Sequence, residues 1–442
     1  MTPTRPVARA TRERSRIRYS ILAIIFLITT VNYADRATLS IAGTDVAKTF
    51  GLDAADMGII FSAFGWTYLA MQLPGGWFLD RFGSKRVYTW SLFFWSLFTF
   101  VQGFVGSMPI AWAATSFFIA RLLLGLAEAP SFPANSRIVS SWFPANERGT
   151  ATAIYSAGQY AALAAFSPLL GWLTYTWGWE HVFWVMGGLG FVLTAVWVKW
   201  VQPPAQHPRI SQRELDTLID GGALIDIDQP RANAEGPKWR YIGQMLRSRM
   251  LVGVFLGQYF FTTITWFFLT WFPIYLVHDK GLSILKVGLL ASIPAICGCV
   301  GGVLGGLFSD ALLRRGHSLT VARKTPIIAG MLLSTSLILC NYTNTTWIVI
   351  TLMSLAMFGK GFANLGWSVV TDTAPKQVAG LCGGVFNSFG NMASIVTPLV
   401  IGFLVNTLHS FNAALVFVGA SAVAAIGCYL FVVGDIKRFE LR

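Results

Sequence analysis

Twelve runs of about 20 mostly apolar residues follow one another along this chain, and they restrict its fold more than any other feature. As a helix, a run of that length crosses the hydrocarbon core of a bilayer. Lipid offers no partner to an open backbone N–H or C=O, so spanning segments must be helices or closed barrels. The runs fall near residues 18–43, 57–79, 86–106, 109–140, 149–176 and 181–201, then near 249–278, 284–309, 323–341, 346–371, 378–407 and 411–433. No stretch alternates apolar and polar residues for long, which argues against a β-barrel. Of 442 residues, 54% are hydrophobic and only 12% charged, against about 25% charged in soluble proteins. The expected fold is an all-α membrane protein of twelve transmembrane helices.

The net charge of +13 does not signal nucleic acid, because the basic residues sit in short clusters between apolar runs. Arg5, Arg9, Arg12, Arg14, Arg16 and Arg18 precede the first run; Arg81, Lys85 and Arg86 follow the second; Arg314, Arg315, Arg323 and Lys324 follow the eighth. The intervening loops on the other side are nearly free of Arg, which predicts that both termini are cytoplasmic. "TRERSRIRYSILAIIFLITT" could pass for a secretory signal, but no small-residue cleavage site follows, so it is read as an uncleaved first helix. The five cysteines lie in apolar segments, with no CxxC and no neighbouring histidine, and are read as packing residues. No metal site and no cofactor are expected.

The only long polar segment separates the sixth run from the seventh. It suggests a basic tail at 1–17, a six-helix bundle at 18–201, a linker at 202–248 with one short helix, a second bundle at 249–433 and a tail at 434–442. The halves repeat one another. "GGWFLDRFGSKR" follows the second run and "GGLFSDALLRRG" the eighth, with Gly76 to Asp80 spaced as Gly306 to Asp310. "PANERGTATAIY" matches "PKQVAGLCGGVF" in the same way. Two pseudo-symmetric six-helix bundles are therefore expected.

Most ionisable residues stand at the ends of the runs, and five do not: Asp35 and Arg36 in the first, Arg121 and Glu128 in the fourth, Lys360 in the tenth. A charge at the bilayer centre costs about 2.5 kcal/mol or more, so such residues face a cavity or each other. Three cations against two acids suit an anion. Arg121 and Glu128, seven residues apart, share a helix face. Lys360, Asn364, Trp367 and Thr371 fall at i, i+4, i+7 and i+11, predicting one stripe of hydrogen-bonding groups. Tyr68, Gln159, Asn387 and Asn391 add polar groups on apolar runs. Plainer readings stand beside these. Arg121 could neutralise an acid as structural glue, Lys360 could snorkel, Asn387 and Asn391 could bond between helices, and Trp367 could be packing. No histidine is placed for a proton relay, so coupled protons would use Asp35 and Glu128.

"GGWFLDRFGSKR" resembles the loop between the second and third helices of the major facilitator superfamily. "NYADRATLS", "GLAEAPSFPANSRIVSSWFP" and "GGVFNSFGN" are similar to its sugar-acid branch, the anion:cation symporters, closest to galactarate/D-glucarate permeases and then to galactonate permeases. The resemblance covers nearly the whole chain. It implies a proton-coupled symporter importing a sugar-acid anion by alternating access, monomeric, in a bacterial inner membrane, and not an enzyme. It implies Asp35 and Glu128 as proton-coupling acids, Arg36 as the group engaging the substrate carboxylate and Arg121 as partner of the acids. Tyr33, Tyr68, Gln159, Trp367 and Asn387 would line the sugar chain. Gly76, Asp80, Arg81, Gly83, Lys85 and Arg86 would form the gating motif. At Lys360 and Asn364 the chain departs from the galactonate pattern, which has Asn and Ser there. The extra cation is expected to meet the second carboxylate of an aldarate. Galactonate, a hexuronate or an aromatic acid are the competing cargoes. A membrane sensor or intramembrane enzyme is the distant alternative, and no HExxH, GxSxG or P-loop supports it.

Overall fold

The computed structural model describes residues 16–144, 147–227, 239–375 and 378–440, and among these every regular element is helical. Residues 1–15 of the basic tail, with Arg5, Arg9, Arg12 and Arg14, lie outside the described residues. The first six spans are Ile17–Phe50, Ala54–Ala70 continued by Gln72–Phe82, Ser84–Gln102, Ile110–Glu128 continued by Ser131–Trp142, Arg148–Trp177 and Trp179–Trp200. The last six are Arg249–Thr270 continued by Phe272–His278, Ile284–Arg314, Leu319–Ser334 continued by Thr335–Tyr342, Thr346–Phe362 continued by Gly366–Thr373, Ala379–Leu408, and Asn412–Gly427 continued by Cys428–Val432. Nine of these helices are long and apolar enough to cross a membrane on length and composition alone. The five cysteines are unpaired.

Two differences from the sequence reading have plain causes. The first helix does not end near Gly43 but runs to Phe50, where Gly51 takes the left-handed conformation (φ 65°) and bonds back to Ala47. Polar residues near its end had masked this extension. The tenth span is not continuous: it breaks between Phe362 and Gly366, because "GKGFANLG" is glycine-rich and poor in helix propensity. The proposed stripe of Lys360, Asn364, Trp367 and Thr371 is therefore cut. Lys360 lies before the break and Trp367 beyond it, with Asn364 in the break itself.

Spans one to six pack on one another, as do spans seven to twelve. The bundles meet along two seams, the fifth span against the eighth and the second against the eleventh. We call the end where the first span begins the linker face and the opposite end the far face. The far half of both seams is closed. A Cβ on Gly58 would lie 2.7 Å from the Pro398 carbonyl oxygen and 3.2 Å from Gly402 Cα, so only glycine permits this approach. Phe61 meets the Trp271 ring edge-on at 5.6 Å. The void left between the halves there, lined by Ala37, Ile41, Phe268, Phe272, Ala295 and Met357 among others, is about 10 Å³, at most one water. Toward the linker face the second and eleventh spans are tied by Asn387 Nδ2, which donates to Gln72 Oε1 at 3.2 Å.

The segment after the sixth span is not a loose tether. Residues 203–227 dock on the N-terminal bundle through the helix Gln212–Asp220. Glu214 accepts from the backbone N–H of Ile17 and of Arg18, both at 3.2 Å, and so caps the first span. Arg148 donates to the Gly222 carbonyl at 2.5 Å, and Leu224 N–H to the Ser140 carbonyl at 2.9 Å. His207 packs edge-on to Trp142, and burial lowers its imidazole pKa. Leu218 is fully buried in the N-terminal core. Leu218→Ala is expected to cost about 2–5 kcal/mol of docking. Limited trypsin digestion would report it as faster cleavage in 203–227, with the spans still protected. A second short helix, Trp239–Arg247, leads into the seventh span.

Candidate functional site

Asp35 and Arg36 are adjacent on the first helix, so they point about 100° apart and serve different neighbours. Asp35 is 1% exposed. It accepts from Trp95 Nε1 and from Thr99 Oγ1, both on the third span. Arg36 turns toward the fourth span, where its Nε donates to Glu128 Oε1 at 2.6 Å and its Nη2 pairs with the same oxygen. Three rings surround the guanidinium: Tyr33 at 4.6 Å, Phe64 at 4.9 Å and Tyr68 at 5.0 Å. Phe64 and Tyr68 stack at 5.1 Å. Cation–π contact of this kind supports a planar cation out of water.

Arg121 and Glu128 share the inner face of the fourth helix, both buried. Arg36, not Arg121, pairs with Glu128, and Asp35 is held by neutral donors. Arg121 Nε and Nη2 and Glu128 Oε2 are buried with no hydrogen-bond partner among the described residues. Arg121 lies 5.6 Å over Phe64, within electrostatic reach of both acids. A buried unpaired polar atom costs about 1–3 kcal/mol, more when charged. Arg121 thus keeps open donors and Glu128 an open acceptor within the buried cluster.

Glu128 is the last residue of its helix, because Pro130 has no N–H to continue it. A carboxylate there opposes the negative end of the helix dipole, and Arg36 offsets it. Lys360 occupies the matching place in the other bundle, in the last turn before the tenth-span break. It is 2% exposed, which excludes snorkelling. Its Nζ donates to Tyr160 Oη at 3.4 Å, across the seam between the bundles.

Of the other residues singled out by sequence, Gln159 is half-buried beside Tyr160. Trp367 is 46% exposed and meets Phe386 edge-on at 5.1 Å. Asn364 is exposed at the break. Asn387 bonds across to Gln72 of the second span, whereas Asn391 Nδ2 donates to the Asn387 carbonyl one turn back on its own helix, at 2.9 Å, so only Asn387 takes an interhelical role. In the gating motif, Asp80 pairs with Arg137, whose Nε donates to Ser84 Oγ at 3.2 Å and Nη2 to the Ile227 carbonyl at 2.6 Å. Arg81 instead lies over Trp77 at 5.2 Å. Gly83 turns the chain at φ 80°, with Gly76 before it and Lys85 and Arg86 after it, and the Lys85 carbonyl accepts from Trp197 Nε1 at 3.3 Å. The C-terminal bundle repeats the tie with Arg323 to Asp372 at 2.8 Å and to Ser309 Oγ at 2.9 Å.

Sequence reasoning missed Trp95, Thr99, Tyr160 and Arg137. Trp95 and Thr99 stand one turn apart on an apolar helix, a spacing that could have drawn notice. Tyr160 and Arg137 carried no local signal.

The family model of the Major Facilitator Superfamily matches residues 25–322. The chain belongs to that superfamily. A probable galactarate/D-glucarate transporter of Escherichia coli strain K12 is 68% identical over 428 residues, 96% of each chain. A probable galactarate/D-glucarate transporter of Bacillus subtilis strain 168 is 56% identical over 431 residues, 97% of this chain and 95% of that one. The D-galactonate transporter of Escherichia coli O6:H1 is 43% identical over 424 residues, 96% of this chain and 97% of that one. Among solved structures, a bacterial homologue of the human lysosomal transporter Spinster superposes with a TM-score of 0.70 at 16% identity, over 95% of this chain and 96% of that one. This superfamily member is thus a multi-pass membrane transporter.

Proposed function

We propose that this transporter is a proton-coupled symporter that imports sugar-acid anions, galactarate and D-glucarate foremost, into the bacterial cytoplasm. The linker face is cytoplasmic in this reading, both termini lie there, and the membrane is the inner membrane. The carrier works as a monomer and needs no cofactor besides the coupling proton. The relatives named for galactarate and D-glucarate support the substrate class. The observation that carries the mechanism is the buried Arg36–Glu128 pair beside the open donors of Arg121.

A deprotonated Glu128 occupies Arg36. A proton on Glu128 releases the guanidinium, which a substrate carboxylate then captures with Arg121. Loss of the proton on the cytoplasmic side returns Arg36 to Glu128 and ejects the cargo. Proton and anion thus bind the same state of the carrier, and their joint preference shifts the rocking equilibrium. The far seam is closed and Arg36 is paired, the arrangement this cycle assigns to the emptied, inward-facing carrier. Asp35 would carry a further proton.

Purified carrier in liposomes, given labelled galactarate and an inside-alkaline pH gradient, is expected to accumulate it above the external concentration. A protonophore should abolish the accumulation. Uptake indifferent to the gradient would remove the coupling. Preference for D-galactonate in competition would move the carrier to the monocarboxylates, the reading favoured by the 43% identical relative.

A further inference from the structure

Among the described residues, Lys360 is the one charged side chain buried in the C-terminal bundle; Asp35, Arg36, Arg121 and Glu128 all belong to the N-terminal one. Among the described residues no carboxylate lies within ion-pair distance of it. Its ammonium contacts are Tyr160 Oη at 3.4 Å, the Tyr160 ring at 5.2 Å and the Phe261 ring at 4.9 Å. Cation–π contacts of this kind offset only part of the several kcal/mol that burying an ammonium costs. The backbone fixes where the side chain points. Gly361 lies against the Gly298 carbonyl of the eighth span and Gly359 against the Gly330 carbonyl of the ninth, so both neighbours of Lys360 are pressed into backbone. The lysine is left to face the seam, where the fifth span supplies Tyr160 and the seventh supplies Phe261. Tyr160 belongs to the fifth span, which packs along the first span, the one that carries Tyr33 and Arg36. The lone cation of one bundle and the paired arginine of the other thus border the same region.

We propose that Lys360, Tyr160 and Phe261 form a second carboxylate subsite that reads the far end of a dicarboxylate, with the Tyr160 hydroxyl holding its place in the empty carrier. The proposal rests on the sugar-acid reading above and adds what that reading leaves open, namely how one carrier prefers a dianion over a monoanion. The hydroxyl accepts from Lys360 and keeps its own hydrogen free. An arriving carboxylate takes donors from both groups at once, while Phe261 keeps water from the ammonium. The first carboxylate binds at Arg36 on one bundle and the second at Lys360 on the other. A dianion therefore ties the bundles together across the seam and a monoanion does not, so the subsite also distinguishes cargo that can draw the halves into closure.

The test is direct binding to the purified full-length carrier by isothermal calorimetry, with galactarate, galactonate and galacturonate as probes. Lys360→Asn is expected to weaken galactarate by about 100-fold and the two monocarboxylates by less than about threefold, since a hydrogen bond to a charged group is worth roughly 10- to 100-fold. Tyr160→Phe, which keeps the ring, is expected to weaken galactarate about tenfold with the same selectivity. Lys360→Arg should restore part of the loss. A purely structural role would weaken all three ligands alike in both variants, and that result overturns the subsite while leaving the sugar-acid reading in place. If the unaltered carrier binds galactonate or galacturonate but not galactarate, the aldarate reading fails and the subsite with it.

Discussion

Glu128→Gln is expected to remove one coupled proton from transport while leaving the carrier able to bind and exchange its substrate. Glutamine keeps the shape and one acceptor oxygen for Arg36, but its charge is that of the protonated acid at every pH. The guanidinium, no longer held by a full negative charge, stays available to a carboxylate. Substrate affinity should thus hold or rise. What disappears is the recapture of Arg36 that ejects cargo. Each coupled proton multiplies the accumulation ratio about tenfold for every unit of imposed pH difference, the equivalent of about 1.4 kcal/mol. Losing one coupled proton should lower the ratio about tenfold per pH unit. Counterflow of labelled against unlabelled galactarate, which needs no net proton movement, should persist. Loss of counterflow together with gradient-driven uptake would place Glu128 in folding or binding instead of coupling.

Arg36→Ala should do more damage, and to two properties at once. It leaves Glu128, 0% exposed, without its cation. Removing one partner of a buried ion pair costs about 3–5 kcal/mol. The same change deletes the group that meets the first carboxylate, for a loss of affinity on the order of 100-fold or more. The double variant Arg36→Ala/Glu128→Gln separates the two effects. With the stranded charge gone, thermal stability should recover most of the loss, whereas galactarate binding should not recover. Arg36→Lys should also fail to restore binding. One ammonium cannot serve Glu128, a substrate oxygen and the faces of Tyr33, Phe64 and Tyr68 together. Recovery of binding in the double variant would show that Arg36 stabilises the bundle and does not touch substrate.

Particular residues show where local pattern stopped being informative. Lys360 announced itself, because a lysine fourteen residues into an apolar run is a cost accepted for a purpose unless it snorkels, and its burial in the structure excludes that. Tyr160 did not, since tyrosines are common in such runs and nothing nearby distinguishes one that faces a lysine 200 positions later. The stripe drawn through Lys360, Asn364, Trp367 and Thr371 assumed an unbroken helix, and glycine-rich "GKGFANLG" breaks it. Arg36 and Arg121 were equally visible, but which arginine takes Glu128 depends on the rotation of the first span against the fourth. The docked segment 203–227 read as a tether because its anchors, Glu214 on two backbone amides and Leu218 in the core, are single residues in a polar stretch.

By itself the sequence determined the membrane environment, the number of spans, the duplication and the identity of the buried charges. These follow from the price of polar groups in lipid, which every residue carries wherever it is placed. Only the tertiary structure decided the pairings: Arg36 with Glu128, Asp35 with Trp95 and Thr99, Lys360 with Tyr160, Asp80 with Arg137. Those depend on contacts between helices far apart in the chain, where an angular difference of one residue step, about 100°, exchanges one partner for another.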